Sequence, residues 1–185
     1  MTIFRGIFGA FGIVTVATSL AIGTFSGQSA TFAQTIPTAV LKPFSLKAGL
    51  FNPSEPSARR AGSDAIFSLE AEYTVENLID VDGSYSVFSV GYLNQDNFRV
   101  IPITIGQNFT DGRQNYYYGF GVGVYNVELD LPGLTSGKNK WIFGGYGVLG
   151  LNLTKTVFTE VKYHYPYKYD NQFIGGFQLM AGLRF

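Results

Sequence analysis

The sequence predicts an all-β chain, an eight-stranded antiparallel up-and-down transmembrane β-barrel preceded by a cleavable signal peptide. Three observations predict it. Apolar and polar residues alternate at period two over most of the chain after position 43. Charged residues are only 14% of the 185, well short of the quarter usual in soluble domains, while 16% are aromatic; a non-aqueous surrounding accounts for that deficit. The longest uncharged runs after the leader, 114–127 and 141–154, are too short and too rich in glycine and β-branched residues for a spanning helix, so strands must do the crossing.

The elements follow in order. Residues 1–33 carry one charge, Arg5, then an apolar run from Gly6 to Ile22, then a small and polar stretch that ends Thr31-Phe32-Ala33. This is the layout of a secretory signal peptide, cleaved after Ala33 or Ala30. Residues 34–43 form a periplasmic lead-in, and 44–185 form the barrel. Eight alternating segments fill that span: 44–52, 65–75, 84–93, 98–109, 115–128, 140–153, 156–167 and 173–185. In the second, Phe67, Leu69, Ala71, Tyr73 and Val75 share one face and Ser68, Glu70, Glu72 and Thr74 the other. Each segment is close to or above the roughly 9 to 11 residues a tilted strand needs to cross a bilayer.

The connections alternate in kind. Asp111-Gly112 and 153–155 read as tight periplasmic turns, whereas 52–64 and 129–139 are long, polar and rich in Pro, Gly and Ser, as extracellular loops are. The connection 76–83 is longer than this pattern wants. Pro102 lies inside the fourth segment, where its missing N–H predicts a β-bulge. A soluble barrel of lipocalin type would alternate equally well, with its apolar face inside. Aromatic residues near strand ends (Tyr92, Phe98, Phe109, Tyr116, Tyr118, Trp141, Tyr165, Phe177, Phe185) suit the two interface girdles of a membrane barrel and place lipid outside.

Composition excludes several functions. Thirteen basic residues balance thirteen acidic ones without a basic block, which leaves no electrostatic footprint for nucleic acid. The absence of cysteine removes disulfides, thiolate zinc sites, lipoprotein acylation and a cysteine nucleophile. One histidine and scattered carboxylates make no metal-ligand spacing, so no metal and no cofactor is expected.

The last segment places Phe177, Leu179, Ala181, Leu183 and Phe185 at alternate positions and ends on the aromatic. It resembles the carboxy-terminal assembly signal of bacterial outer-membrane barrels. Together with Lys47-Ala48-Gly49-Leu50-Phe51-Asn52-Pro53, the stretch 118–125 and Glu160-Val161-Lys162-Tyr163-His164-Tyr165, it looks like the small eight-stranded family typified by the OmpA membrane domain, OmpX and OmpW. The resemblance spans 44–185 and implies a monomeric barrel in the outer membrane, with that membrane's lipids and the barrel-assembly machinery as partners. It names a fold, not an activity.

With Phe185 facing lipid, the alternation turns Lys47, Glu70, Glu72, Glu160, Lys162, His164 and Arg184 into the lumen. An eight-stranded interior is only wide enough for side chains, and buried charges persist only when paired, so these residues read as a polar plug. A narrow polar path gated by His164 is the alternative. Gly119, Gly121 and Gly123 also line one face, as do Gly144 and Gly150 on the next strand; they either admit large lumen neighbours such as Tyr117, Tyr125 and Tyr146 or leave a cavity for a small apolar solute. An enzyme acting on lipid A needs a serine activated by histidine, and His164 has no serine nearby in sequence, while Glu160 is about 13 Å away along the strand. The leading expectation is therefore a non-enzymatic barrel serving envelope integrity or surface interaction, with extracellular ligands, if any, at the loops 52–64 and 129–139.

Overall fold

A computed structural model describes residues 42–75, 81–110, 115–129, 139–169 and 172–185. Eight antiparallel strands, β1 (Phe44–Pro53), β2 (Ile66–Val75), β3 (Ser84–Gln95), β4 (Phe98–Thr110), β5 (Tyr116–Leu129), β6 (Lys140–Asn152), β7 (Val157–Pro166) and β8 (Gly176–Arg184), each pair with their chain neighbours. β1 also pairs with β8 and closes the barrel, so every strand has a paired neighbour on both sides. The alternation in the sequence sets the faces: in β1, Leu46, Ala48 and Leu50 point out while Ser45, Lys47 and Phe51 point in. Because the side-chain period is two, a one-residue slip would turn every lumen charge into the lipid-facing belt, and the register is fixed accordingly.

The expected leader 1–33, most of the expected lead-in 34–43, the expected turn at Asp111-Gly112, most of the expected loop 129–139 and part of 76–83 lie outside the described residues. The turn after β6 is described. The N–H groups of Leu153 and Thr154 both donate to the Val157 carbonyl at 3.0 Å, and the Thr154 hydroxyl accepts from the Val157 N–H at 2.9 Å.

The structure departs from the sequence expectations at four places. First, the connection 52–64 is not all loop, since it contains a one-and-a-half-turn helix, α1 (Pro56–Ala61). Pro56 pre-sets φ for a helical start, and Arg59 and Arg60 sit in the last turn where positive charge suits the helix dipole. The Asn97 N–H, from the two-residue connection between β3 and β4, caps the Ala61 carbonyl at 3.0 Å. Second, Pro102 causes no bulge. Val90 pairs with Ile103 and Leu93 with Val100, so the register is the same on both sides of the proline. Only the pairing between is interrupted, and Gly91 leaves room for the ring: a Cβ there would lie 2.7 Å from the proline Cγ.

Third, Phe98 is not a girdle residue. It points inward and is fully buried, because inward positions of β4 are the even-numbered ones. Fourth, the last strand begins at Gly176 rather than at 173; Tyr169 and Gln172 form an isolated bridge with reciprocal bonds of 2.9 and 2.7 Å that turns the chain before β8 starts.

Candidate functional site

The inward side chains of the described strands form two tiers. At mid-height the wall strands β1, β2 and β7 bring their inward charges together. Lys47 Nζ donates to Glu70 Oε1 at 3.0 Å, Glu72 Oε2 at 2.6 Å and Glu160 Oε2 at 2.8 Å, with no exposure of its own side chain. Lys162 Nζ donates to both oxygens of Glu70, at 2.6 and 2.9 Å, and lies 4.6 Å from the centre of the Tyr146 ring. Tyr117 donates its hydroxyl to the free oxygen of Glu160 at 2.5 Å. Two ammonium groups and a phenol thus satisfy three carboxylates through charge-assisted bonds, as charges removed from water require.

The other sequence-predicted lumen residues stand beside this cluster rather than in it. His164 Nε2 is 2.7 Å from Gln178 Oε1, and Nδ1 is 3.1 Å from the Tyr125 hydroxyl. Both ring nitrogens are therefore bonded to neutral groups, and no serine or carboxylate contacts the ring among the described residues. Arg184 sits lower, toward the end of the barrel that carries the β6–β7 turn. It stacks 4.2 Å above the Phe158 ring and donates to Asn152 Oδ1 at 2.6 Å.

The lumen glycines admit aromatic rings. A Cβ on Gly150 would lie 2.0 Å from the Tyr117 ring, one on Gly121 2.5 Å from Tyr146, and one on Gly144 2.8 Å from Tyr125. Gly119 and Gly123 face inward beside Asn108 and Thr104. Tyrosine rings take up the space at Gly121, Gly144 and Gly150, whereas Gly119 and Gly123 accommodate the close approach of β4.

The upper tier was not legible as a site. Toward the end that carries α1, the inward positions become apolar: Phe51, Ile66, Leu93, Phe98, Val127 and Leu129 form one buried cluster, and Ala58 and Ala61 of α1 seat on it. The void left beneath is about 10 Å³, room for no more than one water. On β3, β4 and β5 the outward positions at the same height are polar, as with Asn94, Asn126 and the Arg99–Glu128 ion pair, whereas Trp141 on β6, opposite Asn126, is an exposed aromatic. The alternation therefore reverses its sign along β3, β4 and β5. A sequence signal existed in neighbours such as Leu50-Phe51, Ile66-Phe67 and Val100-Ile101, which are apolar on both faces at the height where the reversal begins.

No protein-family model and no curated protein matches the sequence. Solved structures do match. The Yersinia pestis outer-membrane protein Ail, in a phospholipid bilayer nanodisc, aligns with a TM-score of 0.52 at 14% identity over 78% of this chain and 99% of that one. Neisserial surface protein A gives 0.52 at 16% over 76% and 94%, and the N-terminal β-barrel domain of Pseudomonas aeruginosa OprF gives 0.53 at 10% over 78% and 98%. The fold is that of the small eight-stranded outer-membrane barrels. At these identities the likeness reaches the small-barrel architecture and no further, and the lumen contacts described above belong to this chain's own residues.

Proposed function

We propose that the chain is a non-enzymatic bacterial outer-membrane barrel with a sealed lumen, which serves envelope integrity or surface interaction through its extracellular end. One observation supports the reading: Lys47, wholly buried, is bound by three carboxylates beneath an apolar tier on which α1 seats, an arrangement that argues against a continuous polar path through the described residues. The outward band of aliphatic and aromatic side chains supports lipid as the surrounding medium, and the like-folded Ail and OprF barrels support the outer membrane. In this orientation α1 faces outside the cell, where a rigid barrel would present it to partners.

The test is single-channel conductance of the purified protein in a planar bilayer at neutral and mildly acidic pH, after a heat-dependent gel shift has shown the barrel to be folded. A silent bilayer is the expected result. Discrete conductance steps would overturn the seal, and their loss in His164→Ala would locate the path along β7.

A further inference from the structure

The lipid-facing wall is not uniformly convex. Across β8, β1, β2 and β3 a groove of about 610 Å³ is sunk into it, lined by Leu46, Ala48, Leu69, Ala71, Ala181 and Leu183. The register explains the shape. Ala181 lies directly opposite Ala48, the diagonal neighbour of Ala48 on β2 is Ala71, and Val90 lies opposite Ala71. Alanine side chains therefore run without a break over two strand spacings, about 10 Å, and the line ends at Val90 on β3. Leu50, Leu179 and Tyr92 stand on one side of this line, and Leu46, Leu183 and Tyr73 on the other.

On the membrane reading proposed above, we infer that this groove seats one hydrocarbon chain of an outer-membrane lipid. Height decides the class of occupant. In β1 the outward residues run Phe44, Leu46, Ala48, Leu50, so Ala48 sits midway up the apolar band, where neither a head group nor a soluble partner reaches. The volume falls within the roughly 300 to 1,000 Å³ of small-molecule sites. Inside a bilayer burial from water contributes nothing, and binding comes from van der Waals contacts that an unfilled groove would forfeit. A flexible chain supplies those contacts along an oblique path. A second copy is the competing occupant, since across a two-fold axis beside the groove an exposed ridge residue such as Leu50 or Leu179 of each chain would enter the groove of the other, and the dimer outcome below separates the two.

The full-length protein, produced in a bacterium with two membranes, is fractionated, extracted in mild detergent, and titrated with oleate and with dioleoyl phosphatidylethanolamine under native mass spectrometry. One molecule of either probe per chain is expected, since the chain and not the head group is recognised. Ala48→Leu with Ala181→Leu fills the floor and should weaken both by about tenfold or more. Gly147→Ala, whose added methyl points out from β6 with only one backbone oxygen as near as 4.0 Å, should leave them unchanged. Equal binding by the filled variant would mean annular lipid only, and absence of binding to a heat-shifting outer-membrane barrel would overturn the site alone. Dimers abolished by the filled variant would assign the groove to a second copy. A chain found outside the outer-membrane fraction would overturn the membrane reading and this site with it.

Discussion

Replacing Lys47 by Met tests the reading of the lumen most directly. Its ammonium group is the shared partner of Glu70, Glu72 and Glu160 at 3.0, 2.6 and 2.8 Å, and its side chain has no exposure. Removal leaves the three carboxylates unequally served. Glu70 keeps Lys162 and Glu160 keeps the Tyr117 hydroxyl, whereas Glu72 keeps no ion pair among the described residues. Breaking a buried pair by removing one partner costs about 3 to 5 kcal/mol, far above the roughly 0 to 1 kcal/mol of an exposed pair. Methionine preserves most of the volume, so the cost is chiefly that of charge left unpaired. Urea unfolding in lipid or detergent, read by the gel shift and by tyrosine fluorescence, measures the loss. Adding Glu72→Gln and Glu160→Gln to the same chain should restore most of it, because removing both signs together approaches neutrality. A single-variant loss below about 1 kcal/mol, or no recovery in the triple variant, would refute the claim that this cluster is buried and mutually compensated.

Two further perturbations reach other parts of the lumen. Gly150→Ala brings a methyl to 2.0 Å from the Tyr117 ring and must displace it from Glu160; a loss of about 1 to 3 kcal/mol is expected from overpacking, with partial recovery when Tyr117→Leu is added, both read by the same unfolding assay. Ala58→Asp places a charge in the apolar seat of α1. Limited proteolysis should then cut within 54–65 while the heat-shifting barrel persists, and an uncut loop would show that α1 does not depend on that seat.

The strands were legible because closure on one polar and one apolar face leaves a period-two trace, and the structure's strand limits fall within a few residues of it. The inward set Lys47, Glu70, Glu160 and Lys162 could be read from parity alone. Which partners they choose could not, because Lys47 meets Glu160 across β8, which separates β1 from β7, and that neighbourhood exists only once the barrel closes. The same non-locality explains Gln178, whose bond to His164 depends on the β7–β8 register. α1 escaped notice for a local reason: six residues with two alanines carry no helical periodicity, and only the Pro56 start and the basic last turn mark it. Pro102 misled because the expected bulge is one of two remedies; the other, a glycine on the facing strand, was already present as Gly91.

The reversal of alternation fixes where the bilayer ends. A strand surrounded by hydrocarbon must be apolar outside, and one standing in water need only bury its apolar side chains inside, as soluble barrels do. β4 does both: Ile101, Ile103 and Ile105 face out along its middle, then Arg99 faces out, paired with Glu128, while Phe98 and Val100 turn in. On the membrane reading the boundary on this side of the barrel is expected between Ile101 and Arg99, with the ends of β3, β4 and β5 standing clear of the hydrocarbon as a collar around an apolar core. That core has two effects. On the proposed orientation it would keep extracellular water from the ion cluster beneath it and so preserve the strength of the Lys47 bonds, and it supplies the apolar seat for α1. Cysteine introduced singly at Asn94, Arg99 or Ile103 in intact cells separates the levels. A membrane-impermeant maleimide should label the first two and spare the third; labelling at Ile103 would place the boundary lower, and protection at Asn94 would mean that lipid covers the collar and that the polar outward residues there need another explanation.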